Sequence, residues 1–254
     1  MKVKISVKDL WKSYGKNQVL KGLSLDVYEG ETIVILGRSG VGKSVLLRQI
    51  MGLEKPDKGT IQVNGYIINQ LKQKDLYKAI SNMGMLFQGG ALFDSMTIEE
   101  NTSFYLNQHT DPHSKVMLTE EEISIRARRA LDMVGLLGTE EKIPSDLSGG
   151  MKKRAALARL IAYRPTILLY DEPTTGLDPV TAMQINKLIL QTQKELHATS
   201  IVVTHDIRSA ITVGNKIALH NDGKIAVIDD KDKFLMSDHP LIREFLKDAL
   251  GDPK

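Results

Sequence analysis

The sequence has no cysteine in its 254 residues. Disulfides and cysteine-ligated zinc are therefore excluded, which suits a reducing compartment. No run approaches the ~20 apolar residues that a bilayer-spanning helix needs. The opening residues, Met1-Lys2-Val3-Lys4-Ile5, run straight into a strand-like segment with no signal-type apolar stretch. If the chain serves a membrane process, another chain is expected to do the spanning. Charge of one sign is also lacking. There are 34 basic and 31 acidic residues, a net charge of +3, and the two signs are interspersed. That is the pattern of a solvated mixed surface, and no nucleic-acid partner is expected. The six histidines are scattered; only His109 and His113 stand four apart, in a polar stretch that reads as a loop. Internal repeats and low-complexity segments are absent.

What is present is a substantial hydrophobic fraction, 42%, enough for one large domain or two small ones. The most informative stretch is Gly37-Arg38-Ser39-Gly40-Val41-Gly42-Lys43-Ser44. It fits G-x-x-x-x-G-K-[ST], the loop that cradles nucleotide phosphates. A β-branched apolar run, Thr32–Leu36, precedes it. Val45, Leu46, Leu47, Ile50 and Met51 follow at helical spacing. Strand, glycine turn and helix are the context this motif requires. The glycines let successive N–H groups turn toward an anion, and the helix start adds unpaired N–H groups and the positive end of its dipole. Lys43, expected to be solvent-accessible, can reach the β- and γ-phosphates, and the Ser44 hydroxyl can face Mg²⁺.

The pattern elsewhere reads as β-rich over residues 3–36, with a P-loop helix over 43–52. Strands are expected at Thr60–Val63, Met83–Phe87, Ile167–Tyr170 and Ser200–Thr204. Asn64-Gly65 and Asn221-Asp222-Gly223 read as hairpin turns. Helices are expected at Glu120–Leu137, Ser148–Tyr163, Val180–Leu196 and Leu241–Leu250. Polar residues 107–119 read as a loop. The fold class that follows is α/β: a nucleotide-binding core with a mainly parallel sheet, a small antiparallel β region and an α-helical insert. The boundaries are one domain over 1–254, an insert at about 89–160 and a helical tail at about 230–254.

Further residues carry chemistry. The apolar strand at Ile167–Tyr170 delivers Asp171 and Glu172 to its C-terminal edge, where α/β sheets bind ligands. Asp171 suits Mg²⁺, and Glu172 suits a base or water-orienting role. Ser200–Thr204 delivers His205 to a similar edge, where it can donate to a γ-phosphate or an attacking water. Gln88 follows another strand and offers an oxygen to Mg²⁺ or water. Leu147-Ser148-Gly149-Gly150 opens a helix and forms a second anion-binding start. Lys152, Lys153 and Arg154 oppose that helix's dipole. Their placement there points to bound phosphate or a partner.

This ordered set resembles the ATPase subunit of an ABC transporter over nearly the whole chain. The P-loop (37–44), Gln88, the 147–150 signature, Asp171-Glu172, Gly176-Leu177-Asp178 and His205 match that family's motifs. The resemblance implies ATP and Mg²⁺ as cofactors and ATP hydrolysis as the activity. It implies adenine stacking on Tyr14 and nucleotide contacts from Gly37 through Val45, Ser148, Gly149, Gly150 and Asp178. Ser44, Gln88 and Asp171 would serve the metal, and Lys43, Glu172 and His205 catalysis. It also implies a head-to-tail homodimer with ATP between each P-loop and the other subunit's signature. Peripheral attachment to the cytoplasmic face of the inner (plasma) membrane, on a multi-span permease, is part of the same resemblance. Position 151 is methionine where the usual signature has glutamine. That substitution and the 86–97 segment resemble the Mla/Mce-type ATPases and their chloroplast relatives, which move phospholipids between membranes and work with an extracytoplasmic lipid-carrying Mce-type protein. The alternative is an importer of a small polar solute. A third possibility, a soluble ABC protein acting on DNA or ribosomes, would bring tandem ATPase domains, coiled-coil insertions or zinc-binding cysteines, which this sequence lacks. By the same resemblance, the apolar residues Ala91, Leu92 and Phe93 would lie near the permease's cytoplasmic helix; otherwise such a cluster is core.

Overall fold

The computed structural model describes residues 2–250, with side chains through Lys247. The elements run, in order, β1 (Val3–Tyr14), β2 (Asn17–Tyr28), β3 (Thr32–Leu36), α1 (Lys43–Ile50), β4 (Lys58–Val63), β5 (Tyr66–Ile67), α2 (Gln73–Ile80), β6 (Met83–Leu86), α3 (Ile98–Gln108), α4 (Glu120–Met133), α5 (Gly149–Ala162), β7 (Ile167–Asp171), α6 (Pro179–Leu196), β8 (Thr199–Thr204), α7 (Ile207–Val213), β9 (Lys216–Asn221), β10 (Lys224–Asp230), α8 (Lys231–Met236) and α9 (Pro240–Leu250). They divide into two compact units, Met1–Ile80 with Thr199–Lys254, and Ser81–Ala198. The last four residues of the expected C-terminal tail lie outside the described residues.

The first unit holds an antiparallel sheet in the order β2-β1-β4-β5 and a second run of strands in the order β10-β9-β3-β8. In that run β3 pairs in parallel with both β8 and β9. Every residue of β3 and of β8 is buried, as expected for parallel strands covered on both faces. Both hairpin turns form as the sequence indicates. Asn64 and Gly65 have φ of 51° and 88°, and Asp222 and Gly223 have 44° and 75°; consecutive left-handed residues match the strands' twist. The alternation in β2 is only partial because β1 and β2 slip register between Val7 and Leu10 and again at Trp11. Asp9 turns left-handed there, and its carboxylate accepts a hydrogen bond from the Trp11 indole at 2.9 Å.

In the second unit β6 and β7 pair in parallel, Met83 with Ile167 through Leu86 with Tyr170. Helices α3, α4 and α5 pack on one another and run from Ile98 to Ala162, two residues past the expected end of the insert. Helix α4 stops at Met133, four residues before the expected Leu137. Gly135 takes φ +65°, and the Leu136 N–H turns back to the Leu131 carbonyl at 2.8 Å, a glycine C-cap that closes the helix. Helices α2, α3, α7 and α8 are elements that the sequence pattern did not mark. The architecture is the expected α/β one, with mostly parallel strands, a small antiparallel sheet and helices.

Candidate nucleotide site

The predicted residues are built as two sets, one in each unit. In the first unit, β3 and β8 end side by side, Leu36 opposite Thr204. The Gly37 N–H donates to the Thr204 carbonyl at 3.2 Å, so the P-loop and His205 leave the same sheet edge. Arg38, Ser39, Gly40 and His205 are exposed. Gly42, the N-cap of α1, has φ +103°, and a Cβ there would lie 2.4 Å from a Val19 methyl; glycine is required on both counts. No acidic residue and no side-chain cap occupy the first turn of α1, so its N–H groups and dipole are left for an anion. His205 is fixed by its neighbour. The Asp206 N–H donates to Thr204 Oγ1 at 3.0 Å, and the Asp206 carboxylate caps α7 through Arg208 and Ser209.

Lys43 differs from expectation: it is 4% exposed. Its ammonium donates to the Gly37 and Arg38 carbonyls at 2.8 and 2.9 Å. A desolvated ammonium needs acceptors, and the loop's own carbonyls supply two of them.

Tyr14 ends β1, 44% exposed. Its phenol donates to the Glu54 carboxylate. Glu54 also meets Lys12 at 3.2 Å and Arg48 at 3.5 Å, and the Lys12 ammonium sits 5.4 Å from the Tyr14 ring centre. Burial, and then the neighbouring carboxylate, hold the phenol above its ordinary pKa. Glu54 was not foreseen; within Gly52-Leu53-Glu54-Lys55-Pro56 it reads as an ordinary solvated turn.

In the second unit β6 and β7 also end side by side, which brings Gln88 and the Asp171-Glu172 pair to one edge. The two carboxylates are 6% and 7% exposed. Glu172 holds φ +48°, a conformation that costs a non-glycine residue about 1–3 kcal/mol and persists where surroundings enforce it. Thr175 Oγ1 donates to its carboxylate at 3.0 Å. Ser148 caps α5 by accepting from the Met151 N–H at 3.3 Å. Gly149 is exposed, and a Cβ on Gly150 would stand 2.6 Å from a Thr181 methyl. Asp178 caps α6, accepting from the Val180 and Thr181 N–H groups at 3.0 Å each. The Thr181 hydroxyl and N–H, then that of Val180, hold its carboxyl below the ordinary range.

The basic run at 152–154 corrects a second expectation. Lys153 and Arg154 turn inward rather than toward phosphate or a partner. Lys153 donates to the Gln88 carbonyl, and Arg154 to the Val134 and Gly135 carbonyls at 3.0 and 3.1 Å. Buried carbonyls left over at loop ends need donors, and long cationic side chains reach them.

The family model described as ABC transporter matches residues 20–175. The chain belongs to the ABC transporter family. ABC ATPases bind and hydrolyse ATP, and this chain is an ATP-binding, ATP-hydrolysing subunit of that kind. It is 40% identical to a probable ribonucleotide transport ATP-binding protein, mkl, of Mycobacterium leprae, over 97% of this chain and 69% of the relative. It is 36% identical to the intermembrane phospholipid transport system ATP-binding protein MlaF of Haemophilus influenzae, over 98% of this chain and 92% of that protein. Among solved structures, the dimeric ATP-binding cassette MJ0796 in a post-hydrolysis state with ADP and Pi matches with a TM-score of 0.80 and 33% identity, covering 89% of this chain and 98% of that one. No helix among the described residues is long and apolar enough to cross a membrane.

Proposed function

We propose that this ABC ATPase energises phospholipid transport between membranes through a separate permease. The observation that carries this reading is the near end-to-end match to MlaF, 98% of one chain on 92% of the other. Met151 in the signature and the 86–97 segment support it. Tyr14 would stack on adenine, and residues Gly37–Val45 would wrap the phosphates. Lys43 would exchange its loop carbonyls for phosphate oxygens. Ser44, Gln88 and Asp171 supply hydroxyl, amide and carboxylate oxygens, the donor types Mg²⁺ takes. Glu172 would serve as base or water-orienting group, and His205 would contact the γ-phosphate. Ser148, Gly149, Gly150 and Asp178 would face the nucleotide of a second, head-to-tail copy, as the dimeric cassette makes reasonable. One domain over 1–254 with a helical insert at about 89–160, attachment to the cytoplasmic membrane face, and an extracytoplasmic Mce-type partner complete the reading.

Glu172→Gln should retain ATP binding and lose hydrolysis by ~10²–10⁴-fold, the usual worth of a general base. Phe93 is 40% exposed, held between the Phe104 ring at 4.6 Å and the Arg159 guanidinium. Phe93→Asp should therefore leave the fold intact and weaken permease binding. Purification of the native complex from membranes decides the substrate class. A multi-span permease, a lipid-carrying protein and bound phospholipid are expected. A soluble solute-binding protein without lipid would overturn the phospholipid reading and favour a polar-solute importer, the alternative to which the name of the mkl relative lends weight.

A further inference from the structure

Lys153 stands where local physics opposes a cation. It lies in the early turns of α5, toward the positive end of the helix dipole, and is 7% exposed. Burial pushes its ammonium below the ordinary lysine value, against the pull of Asp171 and Glu172. A buried cation so placed is costly unless its surroundings compensate it. The compensation comes from two directions. Its hydrogen bond goes to the backbone carbonyl of Gln88, two residues past the end of β6. The charges acting on it are the two carboxylates at the end of β7, the strand paired with β6.

The same helix grips the rest of that loop. Arg159 donates to the Gly90 and Ala91 carbonyls at 3.0 and 2.7 Å, and Ala91 holds φ +50°. Three successive contacts from α5 thus fix the path of residues 88–91. Arg159 does so at the far end of the loop, with no link to the carboxylates. Lys153 does so at the near end, next to them.

We propose that Lys153 is a positioning residue for ATP hydrolysis: its buried ammonium binds the backbone of Gln88 at the strand edge that also carries Asp171 and Glu172, and so fixes where Gln88 stands beside that pair. The inference rests on the reading of Gln88, Asp171 and Glu172 as hydrolytic residues. Lys153 touches neither water nor nucleotide in this role. A neutral side chain of the same length would fill the space but leave the Gln88 carbonyl without its donor and take one positive charge from beside the carboxylates. An arginine would keep charge and donor.

The test uses the full-length chain and four variants: Lys153→Met, Lys153→Arg, Glu172→Gln and the double variant Lys153→Met/Glu172→Gln. Lys153→Met should lower kcat at least tenfold while KM for ATP stays within about twofold, because the P-loop set is untouched; tenfold corresponds to about 1.4 kcal/mol in the barrier. Lys153→Arg should recover most of the lost kcat. Thermal unfolding supplies the second readout. Lys153→Met should lower Tm, and adding Glu172→Gln should return part of the loss, since the variant chain then carries one negative charge fewer beside the position that lost its positive one. The unfolding cycle reads stability itself, so a weakly folded Lys153→Met variant still reports. Wild-type kcat in Lys153→Met, equal loss in Lys153→Met and Lys153→Arg, or strictly additive Tm shifts would each overturn the proposal. Hydrolysis surviving in Glu172→Gln, with the Tm coupling intact, would instead overturn the assignment of Glu172 and leave the link to Lys153 standing.

Discussion

Two helix starts in this chain invite an anion, and they are built in opposite ways. That of α1 is enclosed: Gly42 admits no side chain, Lys43 is buried, and the loop carbonyls close on the ammonium. That of α5 is open: Ser148 and Gly149 are exposed, and no added Cβ on Gly149 would touch anything within 4 Å. Neither has an acidic residue in its first turn, so neither positive dipole end is neutralised by a carboxylate of its own helix. On the reading proposed above, the enclosed start would bring its own cation, Lys43, to the phosphates. The open start has turned Lys153 and Arg154 away to carbonyls, and it offers only N–H groups and a hydroxyl. Such a surface gains an anion when another body presents one.

The contrast can be broken at its strongest point first. Lys43→Ala should reduce ATP turnover about 10³-fold, because an ammonium about 4 Å from a phosphate oxygen is worth ~4 kcal/mol at an effective dielectric of 20. Steady-state hydrolysis by the purified chain measures it. Ser148→Arg should also stop turnover, yet leave the isolated chain's affinity for ATP unchanged. A collapse of monomer affinity in that variant would mean that the open start serves its own chain's nucleotide.

Acid should act on the enclosed start. His220, whose backbone carbonyl would lie 2.8 Å from a Cβ on Gly37, is 2% exposed. Burial, and then the Lys43 charge, push it from 6.5 down to about 4. Arg38 of the loop and Glu244 of α9, paired at 3.2 Å, line the same small cavity. In the native state His220 stays neutral where the unfolded chain would protonate it. Its contribution is therefore complete above pH 6.5 and is lost as pH falls toward 4, by roughly 3 kcal/mol. Urea unfolding across that range should show a steeper loss for the wild type than for His220→Gln.

A pair of glycine replacements sharpens the comparison at smaller scale. Gly42→Ala should cost about 2 kcal/mol of folding stability, from its φ and the Val19 contact. Gly149→Ala should change stability by no more than about 0.5 kcal/mol. Chemical denaturation distinguishes them directly.

Much of this was legible in the residues. The P-loop carries its strand, its glycines and its helix in one contiguous stretch, so local chemistry defines it. The hairpins at Asn64-Gly65 and Asp222-Gly223 declare themselves through left-handed turn residues. Short helices were harder. Thr97 and Glu100 form a capping box at the start of α3, a local signal whose helix lacks the regular apolar spacing that marks the longer ones. The inward turn of Lys153 and Arg154, and the burial of Lys43, were not legible, since long side chains choose acceptors by tertiary geometry. Glu54 beside Tyr14 depends on a contact 40 residues apart, which no local pattern encodes.

That contact has a consequence for which base the chain accepts. The Tyr14 hydroxyl is already committed to Glu54, and Lys12 and Arg48 are drawn to the same carboxylate. On the stacking role proposed above, the ring has only its flat face left to offer. A face does not distinguish the amino group of adenine from the carbonyl of guanine, and base stacking on an aromatic, worth ~1–3 kcal/mol, tolerates either. Tyr14 would then hold a purine in place without itself telling adenine from guanine.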